Sequence, residues 1–153
     1  MKSFIILLFT LTLAFHVKAS YSINDLLDFL IEHKYYDIIL DIKIHFGNDV
    51  AIDVCLVLAQ STDCETVVYV YMDPSQTSPS PGGPRTPDDI IDFIEDSYFT
   101  SEIQKLLEKA NDETDNLILT IISYYDVLKQ TMTNEEILGF IKKIIFKKSS
   151  KKQ

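Results

Sequence analysis

The chain lacks several residue types and patterns on which known chemistries depend. It has no tryptophan, four glycines and three histidines in 153 residues. It contains no glycine-rich phosphate loop, no His-x-x-x-His or Cys-x-x-Cys pair and no Gly-x-Ser-x-Gly turn. No Asn-x-Ser/Thr site is present, so no N-linked glycan is expected. The sequence therefore predicts a protein that is not an enzyme and has no cofactor and no metal.

A long apolar run is also missing, except for a short one at the N-terminus. Phe4 to Phe15 is a 12-residue apolar stretch after the positive Lys2, too short to cross a membrane. It is followed by Val17-Lys18-Ala19, which has the small and aliphatic residues of a signal-peptidase site. We therefore predict a signal peptide over residues 1–19 and a secreted, extracellular mature chain.

Positive charge is scarce outside one end of the chain. Acidic residues number 23 against 14 basic ones, a net charge of −9, and six lysines lie between Lys142 and Lys152 with no acid among them. The strongly acidic remainder repels phosphate backbones, which argues against nucleic acid as a partner. We interpret residues 147–153 as a frayed, solubilising basic tail. The alternative is a peripheral membrane contact through this Lys-rich C-terminus.

The only two cysteines are Cys55 and Cys64, nine residues apart. In a secreted chain they are expected to form one disulfide that joins two adjacent elements. The alternative is a buried free Cys55 with an exposed Cys64. A catalytic thiol is disfavoured because the mature histidines, His33 and His45, offer no evident base partner.

The other titratable groups have simple interpretations. We take His33 and His45 as solvent-facing or helix-end histidines rather than metal ligands. Asp37 and Asp41 are taken as part of a solvated helix face. The acidic cluster around Asp88 is interpreted as a set of first-turn partners of a helix dipole.

All five prolines lie in one segment, from Pro74 to Pro87. Such a Pro/Ser/Gly stretch cannot form a core, and we interpret residues 73–87 as a flexible loop within a single helical domain of residues 20–146. The loop separates two units, residues 22–72 and 88–146. A recognition strand for a partner is the alternative interpretation of the loop.

Both flanks of this loop carry apolar residues at the i, i+3, i+4 and i+7 spacing of helices. The sequence predicts an N-cap at Ser22, a helix end at Gly47, an N-cap at Thr86 and capping boxes that begin at Ser101 and Thr133. Residues 50–59 are almost continuously apolar and fit a buried strand or a buried helix. The β-branched and aromatic residues 66–71 favour a strand.

An internal similarity bears on this ambiguity. The stretch "NDLLDFLIEHKYY" from Asn24 resembles "DDIIDFIEDSYF" from Asp88, and Asn48-Asp49 matches Asn111-Asp112 at an offset of 63 residues. Residues 54–56 then match 117–119, which lie in a stretch with helical periodicity. We therefore predict an N-cap at Asn48, a buried helix over 50–59 and a tight turn over 60–63. The two cysteines would join the helices across this turn, and a strand over 66–71 remains the alternative.

An ordered series of short motifs runs through the first unit. The motifs are "DFL" at Asp28–Leu30, an isoleucine-rich helix at Ile38–Ile44, "FGND" at Phe46–Asp49, "QS" at Gln60–Ser61 and "ETVV" at Glu65–Val68. In this order the series resembles the insect allergen-related repeat family, which includes the cockroach major allergen, microvillar midgut proteins and the nitrile-specifier proteins of caterpillars. The last helix, "NEEILGFIKKIIF", also resembles the helix that closes the family's repeat.

The resemblance implies an all-α fold in which two duplicated multi-helix units form a compact capsule around an apolar core or cavity. In the family's best-understood members the helices enclose fatty acyl chains, so fatty acids or other apolar small molecules are the expected ligands. A homodimer could complete the cavity. The residues expected to line or border it are Leu27, Phe29, Leu30, Ile39, Ile42, Phe46, Leu56, Phe93, Ile94, Leu106 and Ile121.

Three functions follow as expectations. The first is a secreted, non-enzymatic lipid-binding or fatty-acid-binding helical protein of an insect gut or its secretions. The second is a secreted protein-interaction effector, of a venom, salivary or immune kind, with a solid helical core. The third is a detoxification factor like the nitrile-specifier proteins. A void that can hold an acyl chain would favour the first over the second.

Overall fold

A computed structural model describes residues 22–73, 75 and 94–151. The predicted signal peptide, most of the proline-rich loop and the predicted helix start at Thr86 lie outside the described residues. The described residues are helical and contain no strand, which confirms the all-α prediction. The elements are α1 (Ile23–Glu32), α2 (Tyr35–Phe46), α3 (Asn48–Ala59), α4 (Cys64–Thr66), a π-helix (Val67–Tyr71), α5 (Ser97–Lys109), α6 (Asp112–Ile122), α7 (Tyr125–Leu128) and α8 (Asn134–Lys151).

The first two helices form where the spacing predicts them. The Ser22 hydroxyl accepts from the Asp25 amide at 3.1 Å, which confirms the N-cap. Leu26 and Leu30, one turn apart, are the buried residues of α1. Lys34 has a left-handed backbone (φ 62°) and reverses the chain so that α2 packs on α1.

Gly47 joins α2 to α3 in a single residue. Its amide donates to the Lys43 carbonyl at 3.1 Å, and its carbonyl accepts from the Ala51 amide at 3.2 Å. The glycine is thus the C-cap of α2, as predicted, and also the N-cap of α3. The prediction of Asn48 as the N-cap is wrong. Asn48 is the first helical residue, because Gly47 with φ +95° supplies the turn that an asparagine cap would otherwise make.

The disulfide corner follows α3. Gln60 ends the helix with a left-handed backbone (φ 54°), and residues 60–63 turn the chain into α4. The sulfurs of Cys55 and Cys64 are bonded, with 5.7 Å between their Cα atoms, and both residues are fully buried. The pairing confirms the predicted disulfide, and the alternative of a free Cys55 with an exposed Cys64 is wrong.

The strand alternative for residues 66–71 is also wrong. The chain there forms a π-helix, which ends where the Met72 amide donates to the Val67 carbonyl at 3.0 Å. Val67, Val68 and Met72 are buried in the core. A helical course places these three side chains on the side of the segment that faces α2 and α3, so tertiary packing overrides the local β propensity.

The second unit departs from prediction at one helix start. The predicted capping box at Ser101 is wrong, because Ser101 lies inside α5 and Asp96 is the N-cap, accepting from the Phe99 amide at 3.1 Å. Asn111 is the N-cap of α6, because its Oδ1 accepts a hydrogen bond from the Thr114 amide at 2.8 Å. The capping box at Thr133 is confirmed, since Thr133 and Glu136 exchange hydrogen bonds of 3.0 and 3.2 Å.

The last helix packs against both halves of the chain. It contacts α3 of the first half and α5 and α6 of the second, while α2 also contacts α6. The buried apolar side chains of the described residues form one contiguous cluster. No helix among these residues has the length and apolar character needed to cross a membrane.

Candidate functional site

The ten described candidates for an apolar ligand space all belong to one region, while Phe93 lies outside the described residues. Leu30, Ile39, Ile42, Ile94 and Ile121 are members of the buried cluster. The remaining five are half-buried and pack against it: Leu27, Phe29, Phe46, Leu56 and Leu106. The structure therefore brings together side chains from α1, α2, α3, α5 and α6, as an apolar core requires.

Four of the five buried members have no accessible space beside them. Leu30, Ile39, Ile42 and Ile121 each have 0% of their surface accessible. A side chain that lined a void wide enough for water would keep accessible surface on that side. These four are in contact with other atoms all round, in the manner of a close-packed interior.

One polar network crosses the core between the two halves. The Tyr124 hydroxyl donates to Oδ2 of Asp41 at 2.8 Å. Nδ1 of His45 lies 2.8 Å from Oδ1 of the same carboxylate and 2.9 Å from the Asp41 carbonyl oxygen. The interpretation of Asp41 as part of a solvated face is wrong: it is 7% exposed and holds α2 to the residue that precedes α7.

The other histidine lies in a small aromatic group. His33 caps the end of α1, with its ring centroid 4.5 Å from that of Phe29 and 5.5 Å from that of Tyr35. Among the described residues, no group of three or more His, Cys, Asp or Glu side chains is placed to hold a metal ion. His33 and His45 are thus engaged in a ring stack and in a polar contact with the Asp41 carboxylate, respectively.

Side chains of α2 form hydrogen bonds to backbone carbonyls of the π-helix and of Met72, which follows it. The Lys43 ammonium donates to the Val68 carbonyl at 2.5 Å and also to the Met72 carbonyl. It thereby supplies positive charge and hydrogen bonds to carbonyls at the end of a short helix. The Tyr36 hydroxyl donates to the Tyr71 carbonyl at 3.4 Å. Sequence reasoning missed this arrangement, because the position of Lys43 within a helix does not indicate which groups its ammonium will contact.

The opposite side of the π-helix carries the feature of the surface that most needs an explanation. Tyr69, Val70 and Tyr71 are 51%, 69% and 47% exposed, and they follow one another in the chain. We call these three residues the Tyr69–Tyr71 patch. Three successive exposed apolar residues are an error in a designed protein unless they serve a function. Segments of π-helix occur often at functional sites.

Another exposed apolar residue, Phe146, lies among lysines on α8. Phe146 is 73% exposed, and Lys142 and Lys143 precede it by four and three residues, which places all three on one helix face. We call these three residues the basic face of α8.

Lys148 behaves differently from the lysines of that face. It is 8% exposed, with its ammonium 2.9 Å from Oε1 of Glu113 and 5.7 Å from the Phe46 ring centroid. The helix runs through this residue to Lys151. The interpretation of a frayed, solubilising tail therefore fails at Lys148, because the packing of the lysine stem and the ion pair order this part of the chain.

Comparisons of the chain with protein-family models, with curated proteins and with solved structures found no match. The function is therefore argued from the residues alone.

Proposed function

We propose that the chain is a secreted, non-enzymatic binding protein whose helical core is solid and whose partners are recognised at its surface. The observation that carries the proposal is the absence of accessible surface on Leu30, Ile39, Ile42 and Ile121. These four are among the residues that the sequence predicts to line an enclosed apolar cavity. Their close packing supports the interaction function over the internal carrier.

The buried disulfide supports the secreted location. Disulfides form and persist in oxidising compartments outside the cytosol. Cys55 and Cys64 are fully buried, so the bond is protected from exchange with external thiols. This agrees with the signal peptide that the sequence predicts for residues 1–19.

A duplicated origin of the two units is part of the proposal. The ends of α2 and α5, Phe46 and Lys109, are 63 residues apart, as are the ends of α3 and α6, Ala59 and Ile122. The same offset relates the fully buried Val54 and Cys55 to the fully buried Leu117 and Ile118. Equal spacing in both the helix ends and the buried positions supports two copies of one helical unit.

A fatty-acid carrier is the second candidate function. It is favoured by the half-buried members of the apolar set, Leu27, Phe29, Phe46, Leu56 and Leu106, which retain contact with solvent beside the core. An acyl chain bound there would lie in a surface groove rather than in a closed cavity. Such a site would bind apolar ligands by burial of their surface, with few polar contacts.

A thermal-shift titration with oleate separates the two candidates. A carrier gains stability from a ligand that binds only its folded state, by about 2.7 kcal/mol when the ligand is at a hundred times its Kd. We expect no rise in Tm for the purified, secreted protein. A saturable rise that is lost in Leu56→Ser, with no loss in Ile31→Ser, would establish the carrier and overturn the solid-core proposal. Ile31 is the control because it is 60% exposed.

A photo-crosslinking residue tests the surface function directly. Placed at position 70, it should form one dominant protein adduct under native conditions, because Val70 is the most exposed member of the Tyr69–Tyr71 patch. The same residue at position 31 is the matched control on α1. Equal yields at the two positions would contradict a specific surface.

A further inference from the structure

We propose that the Tyr69–Tyr71 patch of one copy of the chain binds the basic face of α8 of a second copy, so that copies associate head to tail. The inference rests on the proposed surface function and names its partner. Both faces are exposed, and neither is covered by the described residues of the same copy.

The backbone that carries the Tyr69–Tyr71 patch is held in place by contacts with the core. Below it, Val67 and Val68 are fully buried, and Cys64 fixes the preceding turn to α3 through the disulfide. The Lys43 ammonium holds the carbonyls of Val68 and Met72 from the side of α2. A rigid, exposed apolar surface loses little conformational entropy on binding, which favours association.

The surroundings of the patch are acidic. Residues 44–73 contain no lysine or arginine, and the exposed Glu65 and Asp73 lie on either side of the patch. The nearby cation is Lys43, whose half-buried ammonium binds the Val68 and Met72 carbonyls and acts on Asp73. Asp37 and Asp73 also act on Tyr36: burial first, and then these two negative charges, raise the pKa of its hydroxyl. A partner for this surface must therefore offer apolar contact together with positive charge.

The basic face of α8 has that combination. Phe146 can cover aromatic and aliphatic side chains, while Lys142 and Lys143 stand one turn away from it. Residues 137–151 contain no acid, and Glu102 of α5 is the acidic group on which the charge of Lys142 acts. Aromatic rings pair favourably with the faces of other rings, and lysine ammonium groups with tyrosine faces. Charge complementarity between the acidic surroundings and the lysines would orient the two copies.

Pairing of two unlike surfaces makes a heterologous contact. Each associated pair then keeps one free patch and one free basic face, so assembly continues into rings or open chains. This property gives a test that a symmetric dimer would fail.

Analytical ultracentrifugation of the secreted chain tests the inference. We expect the weight-average mass to rise with concentration and to fall when salt is raised from about 0.05 M to about 0.5 M, because salt screens exposed charges. Val70→Ser and Phe146→Ser should each weaken association by at least about tenfold, since each removes a buried apolar group from the contact. Ile31→Ser, at a site on α1 that is 60% exposed, should leave association unchanged.

The mixture of the two variants is the decisive sample. Val70→Ser keeps its basic face, and Phe146→Ser keeps its patch, so together they can form one intact contact. We expect the mixture to give dimers and no larger species.

Four results would overturn the inference. The first is a monomer at all concentrations. The second and third are that only one of the two variants weakens association, either Val70→Ser without an effect of Phe146→Ser or the reverse. The fourth is that the mixture of the two variants forms no dimer. Binding of Phe146→Ser to phosphatidylserine vesicles should equal that of the wild type, and a loss there without self-association would assign the face to a lipid surface. A monomer free of bound lipid leaves the proposed surface function intact, whereas bound fatty acid overturns that function instead.

Discussion

The hydroxyl of Tyr124 and the carboxylate of Asp41 meet at 2.8 Å in the core, although 83 residues separate them in the chain. Asp41 belongs to α2, and Tyr124 lies between α6 and α7. The bond therefore ties the first half of the chain to the second at a buried point. A buried carboxylate that keeps its hydrogen bonds fixes the register of the packed helices around it.

Tyr124→Phe should destabilise the fold. It removes a donor from a buried carboxylate that cannot find water in its place, a loss of about 1–3 kcal/mol. Urea denaturation followed by circular dichroism would measure it. His45→Gln is the control on the same carboxylate: the His45 side chain is 60% exposed, and a polar contact so open to solvent contributes about 0–1 kcal/mol. Equal losses of unfolding free energy in the two variants would contradict the larger contribution predicted for the buried Tyr124 hydrogen bond.

Reduction of the disulfide should lower stability without converting the π-helix into a strand. A bridge that closes so short a loop adds about 2–3 kcal/mol in the chain-entropy model. The double variant Cys55→Ala/Cys64→Ala should show a similar loss in urea, and its far-ultraviolet spectrum should remain helical. A rise in strand signal would mean that the bond, rather than the packing of Val67 and Val68, keeps the segment helical.

Gly47 should not tolerate a side chain. A Cβ there would meet no atom within 4 Å, so space is available. Its φ of +95° with ψ of 171° is nevertheless a region that essentially only glycine occupies, and other residues lose about 1–3 kcal/mol there. Gly47→Ala should therefore lower the free energy of unfolding by that amount. Gly139→Ala is the matched control, since Gly139 lies inside α8 and alanine favours a helix.

Acid should weaken the cap at the start of α5. The Asn134 amide donates to Asp96 at 2.7 Å and the Phe99 amide at 3.1 Å, and these bonds hold the pKa of Asp96 below its usual 3.8. Ionised Asp96 therefore stabilises the fold above pH 3.8, and this contribution is lost as the pH falls through the lower folded-state pKa.

The variant Asp96→Asn isolates that effect, because asparagine caps a helix about as well as aspartate but does not titrate. The Tm of the wild type should fall more steeply than that of the variant between about pH 4 and pH 2. Parallel curves would show that the cap bonds do not depend on the charge of Asp96.

Local sequence signals predicted the helix ends where a single residue decides them. Ser22, Gly47 and Thr133 act within one turn, through a side-chain hydroxyl or the free φ of glycine, and all three were predicted correctly. Asn48 was predicted as an N-cap, but Gly47 caps that helix. Ser101 was predicted to begin a capping box, but the N-cap is Asp96, five residues earlier. Several residues near a helix start are able to cap it, and spacing alone does not choose among them.

Non-local contacts account for what the sequence did not predict. The helical course of residues 66–71 depends on the packing of Val67 and Val68 against α2 and α3 and on the Lys43 ammonium of α2, which are contacts with other helices. The burial of Asp41 depends on Tyr124 in the other half of the chain. The candidate lining residues were predicted as apolar and clustered, but whether a cluster is hollow or filled depends on how all the side chains fit together.

The measurement that tests the central claim most directly is native mass spectrometry of the protein secreted from insect cells. A solid core predicts masses of the polypeptide alone and of its multiples, with no lipid adduct under gentle activation. A stoichiometric adduct of fatty-acid mass, displaced by added oleate, would contradict the claim and show that the protein carries an apolar ligand.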